Sequence, residues 1–222
     1  MYRAMTLTLA AALGAGAACS GEASAPSGPS PVPGTTLKIV ALGDSLTSGH
    51  GLARGDAYPA ILEQQLRQAS LPFAVVNHGV SGDTTAGGVR RVAAALAEEP
   101  QILIVALGAN DGIRGVPVAD VRRNLERIIE SAQARGVSVL LCGMDAFPLH
   151  GWQYTVDFHN VYPDLARKYS VPLVPFLLTG VVGNSAMLLP DMVHPNAAGA
   201  RAIAANIWPW LQPLAAAAVS SL

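Results

Sequence analysis

One apolar run near the amino-terminal end constrains the fold of this chain more than any other feature. Residues 37–42 read Leu-Lys-Ile-Val-Ala-Leu, so five of the six positions are apolar, which is typical of a strand buried on both faces of a parallel sheet. Gly43 ends the run, and Asp44 and Ser45 follow at once. Open α/β sheets build their sites beyond the carboxyl ends of their strands, so the pattern predicts that the Ser45 hydroxyl lies at a site.

Apolar segments and helical patterns alternate along the rest of the chain. We predict strands at residues 37–42, 73–77, 102–107, 137–142 and 171–176, and helices at residues 58–69, 89–98, 118–134, 156–168 and 197–211. Residues 108–115 and 143–155 are predicted as loops. The alternation predicts a three-layer α/β/α fold with a flavodoxin-like, five-stranded parallel sheet in the order 2-1-3-4-5. Pro172 and Pro175 place the fifth strand at an edge of the sheet, because proline cannot donate to a neighbouring strand.

The first 36 residues differ in composition from the rest of the chain. Residues 1–18 carry one charge, Arg3, and an apolar run that is too short for a membrane span, which predicts a secretory signal peptide. Cys19 then follows two alanines, as at a bacterial lipoprotein processing site, although Gly16 stands where leucine is usual. We expect a lipidated Cys19, with ordinary signal cleavage as the alternative. Residues 19–36, rich in Ser, Pro and Gly, predict a solvated tether.

The predicted domain, residues 37–222, is long enough for one hydrophobic core. Its leader predicts export across the inner membrane, with a periplasmic or membrane-anchored product. A net charge of −1 and a charged fraction of 13% exclude a nucleic-acid-binding surface and a polybasic membrane patch. Cys142 is the only cysteine outside the leader, so we expect a core residue there, with no internal disulfide and no thiol zinc site. No cofactor and no metal is implied, and the oligomeric state is left open.

The Ser45 hydroxyl needs a base before it can act as a nucleophile, because a free serine is protonated at neutral pH. Among the five histidines, His194 is distinguished by Asp191, three residues upstream in the loop before the last predicted helix. A carboxylate at that spacing can accept the Nδ1 proton of His194 and leave Nε2 free to take the serine proton. The sequence therefore predicts Ser45, Asp191 and His194 as a catalytic set. The alternative is that Asp191 caps the helix and His194 is a bystander.

Donors for an oxyanion are expected in two loops at the carboxyl ends of other strands. Asn110 offers a side-chain amide after the third strand, and Gly82 offers a backbone N–H, to which the N–H of Ser45 would be added. Both loops also have the composition of ordinary turns, so each signal alone is weak. Together with Ser45 and His194, they form a convergent set.

These segments resemble, in order and spacing, the four blocks of the SGNH (GDSL) hydrolases. The blocks are residues 43–46 (Gly-Asp-Ser-Leu), Gly82, residues 108–111 (Gly-Ala-Asn-Asp) and residues 191–195 (Asp-Met-Val-His-Pro). Residues 77–84 and 110–115 are most similar to the secreted bacterial esterases with arylesterase, acyl-CoA thioesterase and lysophospholipase activities. The resemblance implies a small-molecule ester substrate, with Ser45 as the nucleophile, His194 as the base and Asp191 as the group that orients the base. The implied oxyanion hole consists of the Ser45 N–H, the Gly82 N–H and the Asn110 side chain.

Substrate contacts are expected from the loops that cover this edge of the sheet. The predicted substrate-binding residues are Asp44, Ile113, Phe147, Pro148 and Leu149. Apolar side chains dominate, which favours a shallow acyl groove and short- to medium-chain aryl or lipid-derived esters, with thioesters and lysophospholipids as further substrates. Residues 144–151 depart from the proline- and asparagine-rich loop of the similar esterases. Two alternatives stay open: a carbohydrate acetylesterase of the same superfamily, and a flavodoxin-like binding module in which residues 45–49 cradle a phosphate.

Overall fold

The computed structural model of the protein describes residues 37–221. At its centre is a parallel sheet of five strands: β1 (Leu37–Gly43), β2 (Phe73–Gly79), β3 (Ile102–Ala106), β4 (Ser138–Cys142) and β5 (Leu173–Val174). Their order across the sheet is β2-β1-β3-β4-β5, which confirms the predicted topology. The predicted signal peptide (residues 1–18), the predicted tether (residues 19–36) and Cys19 lie outside the described residues.

Helices connect the strands on both faces of the sheet. They are α1 (Ser45–Ser48), α2 (Tyr58–Gln68), α3 (Thr85–Leu96), α4 (Ala109–Arg114), α5 (Val118–Gln133), α6 (Trp152–Tyr169) and α7 (Ala197–Ser220). Helix α2 packs against α7, while α5 contacts both α3 and α6, so the longer helices form two layers with the sheet between them. No helix within residues 37–221 is both long enough and apolar enough to cross a membrane.

The central strands supply the core because they are apolar on both faces. Ile39, Val40, Ala41 and Leu42 in β1 are fully buried, as is every residue of β3. Removing each such isoleucine, valine or leucine side chain from water contributes about 1.5–3 kcal/mol. Cys142, at the end of β4, is also fully buried, and this burial raises the pKa of its thiol well above the usual range. It is a core residue.

The carboxyl ends of β1, β2 and β3 lie level with one another. Gly43 pairs in register with Gly79 of β2 and with Ala106 of β3. The segments that follow these three strands therefore begin at one edge of the sheet. One of them carries Ser45, and another carries Asn110.

The segment predicted as a loop at residues 108–115 contains a helix instead. Gly108, at a φ of 123°, turns the chain out of β3, and α4 follows directly. The composition of this segment favours turns, but tertiary contacts override that preference. The buried Asp111 carboxylate accepts hydrogen bonds from the N–H and the hydroxyl of Thr85, at 2.9 and 2.7 Å. These bonds fix α4 against the start of α3.

Several element ends also differ from those predicted. Helix α3 begins at residue 85 rather than 89, α6 begins at residue 152 rather than 156, and α7 ends at residue 220 rather than 211. Helix α3 starts early because the Thr84 side chain caps it, accepting from the Gly87 N–H. Strand β5 has only two residues because Pro172 and Pro175 flank it, and it lies at the edge of the sheet as predicted.

Candidate active site

Ser45 is the first residue of α1 and comes two residues after β1 ends. Gly43 is required at the end of the strand, because a Cβ there would lie 1.8 Å from Thr47 Oγ1. Asp44 then caps the helix: its Oδ1 accepts a hydrogen bond of 2.9 Å from the Leu46 N–H. The tight strand end and the cap together hold the Ser45 hydroxyl at the edge of the sheet.

Three of the predicted site residues lie in one hydrogen-bonded row. His194 Nε2 is 3.1 Å from Ser45 Oγ, and His194 Nδ1 is 2.7 Å from Asp191 Oδ2. Met192 adopts a φ of 58° in the turn between Asp191 and His194. The other carboxylate oxygen, Oδ1, accepts the N–H groups of Val193 and His194 at 2.9 Å each. One oxygen of Asp191 thus orients the imidazole, while the other holds the backbone of the turn.

The hydrogen bonds to Asp191 keep its carboxyl group ionised at neutral pH. The N–H groups of His194 and Val193, followed by the His194 ring, hold the pKa of Asp191 well below its usual range. A charged Asp191 favours the tautomer of His194 with the proton on Nδ1, and it stabilises the imidazolium. The lone pair on Nε2 then faces the Ser45 hydroxyl.

The three predicted oxyanion donors differ in their present hydrogen bonds. The Ser45 N–H opens α1, where helix amides lack a partner within the helix, and the Gly82 N–H donates to no other residue in the described range. Gly82 has a φ of 78°, which favours glycine. The Asn110 Nδ2 group donates to the Asp83 carbonyl at 2.9 Å and to Asp44 Oδ2 at 3.3 Å. The bond to Asp44 is long, so that hydrogen is the one most easily shared with a ligand.

Arg91 on α3, which the sequence reasoning did not select, connects the segments around the site. Its Nη1 donates to the His78 carbonyl at 2.8 Å, and its Nη2 donates to the Gly43 carbonyl at 3.1 Å. Its Nε donates to Asp83 Oδ2 at 2.9 Å. Arg91 therefore ties the ends of β1 and β2 to the segment that carries Gly82. An arginine on a helix looks like a surface charge in the sequence, so no sequence signal indicated this role.

Helix α4 holds the same segment from the other side. Arg114 Nη2 donates to the Gly82 carbonyl at 2.9 Å, so the peptide that carries this carbonyl is fixed in direction. The bonds from Thr85 to Asp111 keep α4 itself in place. The two loops predicted to supply oxyanion donors are thus joined to each other.

An apolar pocket of about 740 Å³ opens beside Ser45 and Asn110. Of the predicted substrate-binding residues, Ile113 and Phe147 line it. Pro148 and Leu149 are not part of its lining; they lie in an exposed 3₁₀ turn directly after Phe147, and their role in substrate binding stays a prediction. Sequence reasoning also missed much of the wall, which comes from distant segments: Phe176, Leu178, Val182, Met192 and Val193.

Asp44 is the fifth predicted substrate-binding residue. Its side chain is fully buried, and its two oxygens accept from the Leu46 N–H and from Asn110. Burial is the largest cause that raises the pKa of Asp44 from 3.8 to about 6, and the nearby Asp83 carboxylate adds to it. The structure therefore places the Asp44 side chain as the cap of the helix that carries Ser45, and a direct contact with substrate stays a prediction.

A second histidine, His50, lies against His194. The centroids of the two rings are 4.3 Å apart, and the ring planes are inclined by 36°. With Asp191 they make the one group of three metal-ligating side chains within residues 37–221, and their donor atoms all lie within 4.8 Å of one another. His50 is far in the sequence from Asp191 and His194, so no motif spacing indicated this cluster.

Comparisons with known proteins identify the family of the chain. A model of the GDSL-like Lipase/Acylhydrolase family matches residues 41–202. The esterase TesA of Pseudomonas aeruginosa is 38% identical over 177 residues, which cover 79% of this chain and 88% of that protein. The thioesterase 1/protease 1/lysophospholipase L1 of Escherichia coli strain K12 is 33% identical over 177 residues, covering 79% of this chain and 84% of that protein. A crystal structure of TesA superposes with a TM-score of 0.77 at 38% identity and covers 80% of this chain and 99% of that one.

Proposed function

The chain belongs to the GDSL-like lipase/acylhydrolase family, and from that premise we propose that it is a serine esterase that cleaves carboxylic esters through an acyl-enzyme on Ser45. One observation carries the proposal. The Ser45 hydroxyl, the two ring nitrogens of His194 and the Asp191 carboxylate lie in a single row, with contacts of 3.1 and 2.7 Å. A row of this kind activates a serine for acyl transfer.

The reaction follows from the direction of these hydrogen bonds. Ser45 Oγ attacks the ester carbonyl while His194 Nε2 takes its proton. When the tetrahedral intermediate collapses, Nε2 gives that proton to the departing alcohol, and the acyl group stays on Ser45. Water then loses a proton to Nε2 and attacks the acyl-enzyme. As the bond from the acyl carbon to Ser45 Oγ breaks, Nε2 returns the proton to Oγ, and the acid is released. The charged Asp191 stabilises the imidazolium in both halves of the reaction.

The negative oxygen of the tetrahedral intermediate needs donors that are already oriented. We assign this role to the Ser45 N–H, the Gly82 N–H and the Asn110 Nδ2 hydrogen that faces Asp44. Each such donor is worth about 3 kcal/mol of transition-state stabilisation. Arg114 binds the Gly82 carbonyl, and Arg91 binds the carboxylate of the neighbouring Asp83. Both arginines therefore hold the segment that carries the Gly82 N–H in place.

The acyl group of the substrate fits the apolar pocket beside Ser45. Phe147, Phe176 and Leu178 form part of its wall, and such side chains favour an alkyl or aryl group over a hydrated sugar. We therefore propose short- to medium-chain aryl and lipid-derived esters as substrates, together with thioesters and lysophospholipids. A carbohydrate acetylesterase is less well supported because the pocket wall is apolar. A flavodoxin-like binding module is also less well supported, since it would have no use for the hydrogen-bonded row from Ser45 to Asp191.

Export and anchoring form a separate proposal that depends on the leader sequence alone. Residues 1–18 support secretion, and Cys19 supports a lipid anchor in a membrane-bound or periplasmic product. Labelled palmitate should enter the wild-type protein but not the Cys19→Ser variant, and the wild type should fractionate with membranes. A soluble, unlabelled wild-type product would contradict lipidation.

The proposed reaction is tested by removing the hydroxyl and the base separately. Ser45→Ala and His194→Ala should each lose nearly all turnover of p-nitrophenyl butyrate while keeping the circular dichroism of the wild type. Ser48→Ala is the matched control, because it removes a hydroxyl from the same short helix. Near-wild-type turnover in the Ser45 or His194 variant would overturn the assignment.

A further inference from the structure

His50 lies next to the row formed by Ser45, His194 and Asp191, and the proposed reaction does not explain why it is there. It follows Gly49, which ends α1 in the left-handed conformation, and it is exposed. Its ring lies on the His194 ring with 4.3 Å between centroids. Within residues 37–221 the His50 side chain makes no hydrogen bond, so the contact with His194 is the main restraint on its ring.

The chemistry of this cluster is that of a zinc ligand set. His50, Asp191 and His194 offer two imidazoles and one carboxylate, and the donor atoms lie within 4.8 Å of one another. A tetrahedral Zn²⁺ ion with ligands at about 2.0–2.1 Å needs donor atoms about 3.3 Å apart. The exposed His50 ring can rotate towards the ion, while Asp191 Oδ2 and His194 Nδ1, which are 2.7 Å apart, separate by about 0.6 Å to admit it. Imidazole and carboxylate without thiolate suit zinc better than calcium or magnesium.

Asp191 is already oriented for such a role. Its Oδ1 accepts the two backbone N–H groups of the turn, while Oδ2 points at His194 Nδ1 from 2.7 Å. Hydrogen bonds to the second oxygen of a ligating carboxylate fix its direction and strengthen a metal site.

We propose that Zn²⁺ binds between His50, Asp191 and His194 Nδ1, with water as a fourth ligand, and that it reversibly inhibits the esterase. Zinc takes the lone pair of Nδ1, so the ring proton moves from Nδ1 to Nε2 and the ring stays neutral. Nε2 then carries a hydrogen and cannot accept the proton of Ser45. The binding step stands by itself, whereas the inhibition rests on the proposed function.

Direct binding tests the site without any need for activity. Calorimetric titration of ZnCl₂ into the Ser45→Ala protein should show one site per chain, because all three ligands remain. His50→Phe keeps a flat ring against His194 but removes a ligand, and it should weaken zinc binding at least tenfold. His159→Phe is the matched control: His159 Nδ1 lies 2.7 Å from Asp145 Oδ1 on an exposed surface, but the pair has no second histidine.

Inhibition is measured on the wild type and on the two phenylalanine variants. Zinc should inhibit hydrolysis of p-nitrophenyl butyrate by the wild type, and excess EDTA should restore the rate. The inhibitory zinc concentration should rise at least tenfold for His50→Phe and stay unchanged for His159→Phe. His50→Gln, which also lacks an imidazole, should behave like His50→Phe, and thermal melting verifies that each variant is folded.

Two results would overturn the zinc site: no zinc bound by the Ser45→Ala protein, or equal zinc affinity in His50→Phe. Zinc bound at the cluster without inhibition of the wild type would overturn the inhibitory role. Failure of the proposed esterase function is a different result, because it would appear as activity that survives Ser45→Ala in the absence of zinc.

Discussion

Replacing the buried Asp44 with asparagine should change how the stability of the protein depends on pH. Burial raises the pKa of the Asp44 carboxyl to about 6 in the folded protein, from its ordinary value of 3.8 in the unfolded chain. The unfolded chain therefore releases this proton at lower pH than the folded protein does. In the wild type, the stabilising contribution of this group to the free energy of unfolding is complete below pH 4 and is lost as the pH rises through 6. The asparagine variant has no such proton to release.

The two pKa values set the size of the effect. A rise from 3.8 to about 6 corresponds to about 3 kcal/mol over the whole range, because one pKa unit is about 1.4 kcal/mol. About 2 kcal/mol of this falls between pH 4.5 and pH 8. The free energy of unfolding of Asp44→Asn, relative to wild type, should rise by that amount over this interval. Any stability that the variant loses at the hydrogen bond with Asn110 is the same at each pH, so it cancels when the two pH dependences are compared.

Urea denaturation of the two proteins at several pH values between 4.5 and 8 measures this difference. Asp157→Asn is the matched control, since Asp157 is an exposed aspartate on α6 and its curve should run parallel to that of the wild type. Parallel curves for Asp44→Asn and the wild type would refute the reasoning, because they would mean that the Asp44 carboxyl is solvated in the folded protein.

Three further results are expected. Asp191→Asn should lower kcat by roughly 10³- to 10⁴-fold in steady-state assays, because an amide no longer favours the Nδ1–H tautomer of His194, and a loss below tenfold would contradict this. Phe147→Ala should lower kcat/KM for octanoate esters about fivefold and leave acetate esters unchanged, because roughly 1 kcal/mol of apolar contact is lost. Leu149→Ala is its control, and an equal effect there would contradict the assigned pocket wall. Dialysis against EDTA should leave the activity intact, and a loss that added metal restores would contradict a metal-independent mechanism.

Much of the fold could be predicted because a strand buried on both faces is a nearly continuous apolar run. β3 is apolar throughout, and β1 and β4 depart from that pattern only at Lys38 and Ser138; the alternation with helices then limits the strand order. The short helix α4 could not be predicted in this way. It depends on the bonds between Asp111 and Thr85, which come from different segments.

The row formed by Ser45, His194 and Asp191 was the part of the site that could most easily be predicted from the sequence. Asp191 and His194 contact each other within one turn of chain, and Ser45 follows a strand whose end is marked by glycine, so local patterns suffice to select them. The roles of Arg91 and His50 depend on contacts between segments that are distant in the sequence. The wall of the pocket likewise could not be predicted from local patterns, because Phe176 and Leu178 come next to Ser45 only when the chain folds.

The central claim is that Ser45 is a nucleophile activated by His194, and covalent labelling tests it most directly. The protein is incubated with an alkyl p-nitrophenyl phosphonate, digested, and analysed by tandem mass spectrometry. We expect one phosphonyl adduct, on Ser45, that forms at least 10²-fold more slowly in His194→Ala. An adduct on another residue, or labelling of Ser45 at the wild-type rate in His194→Ala, would contradict it.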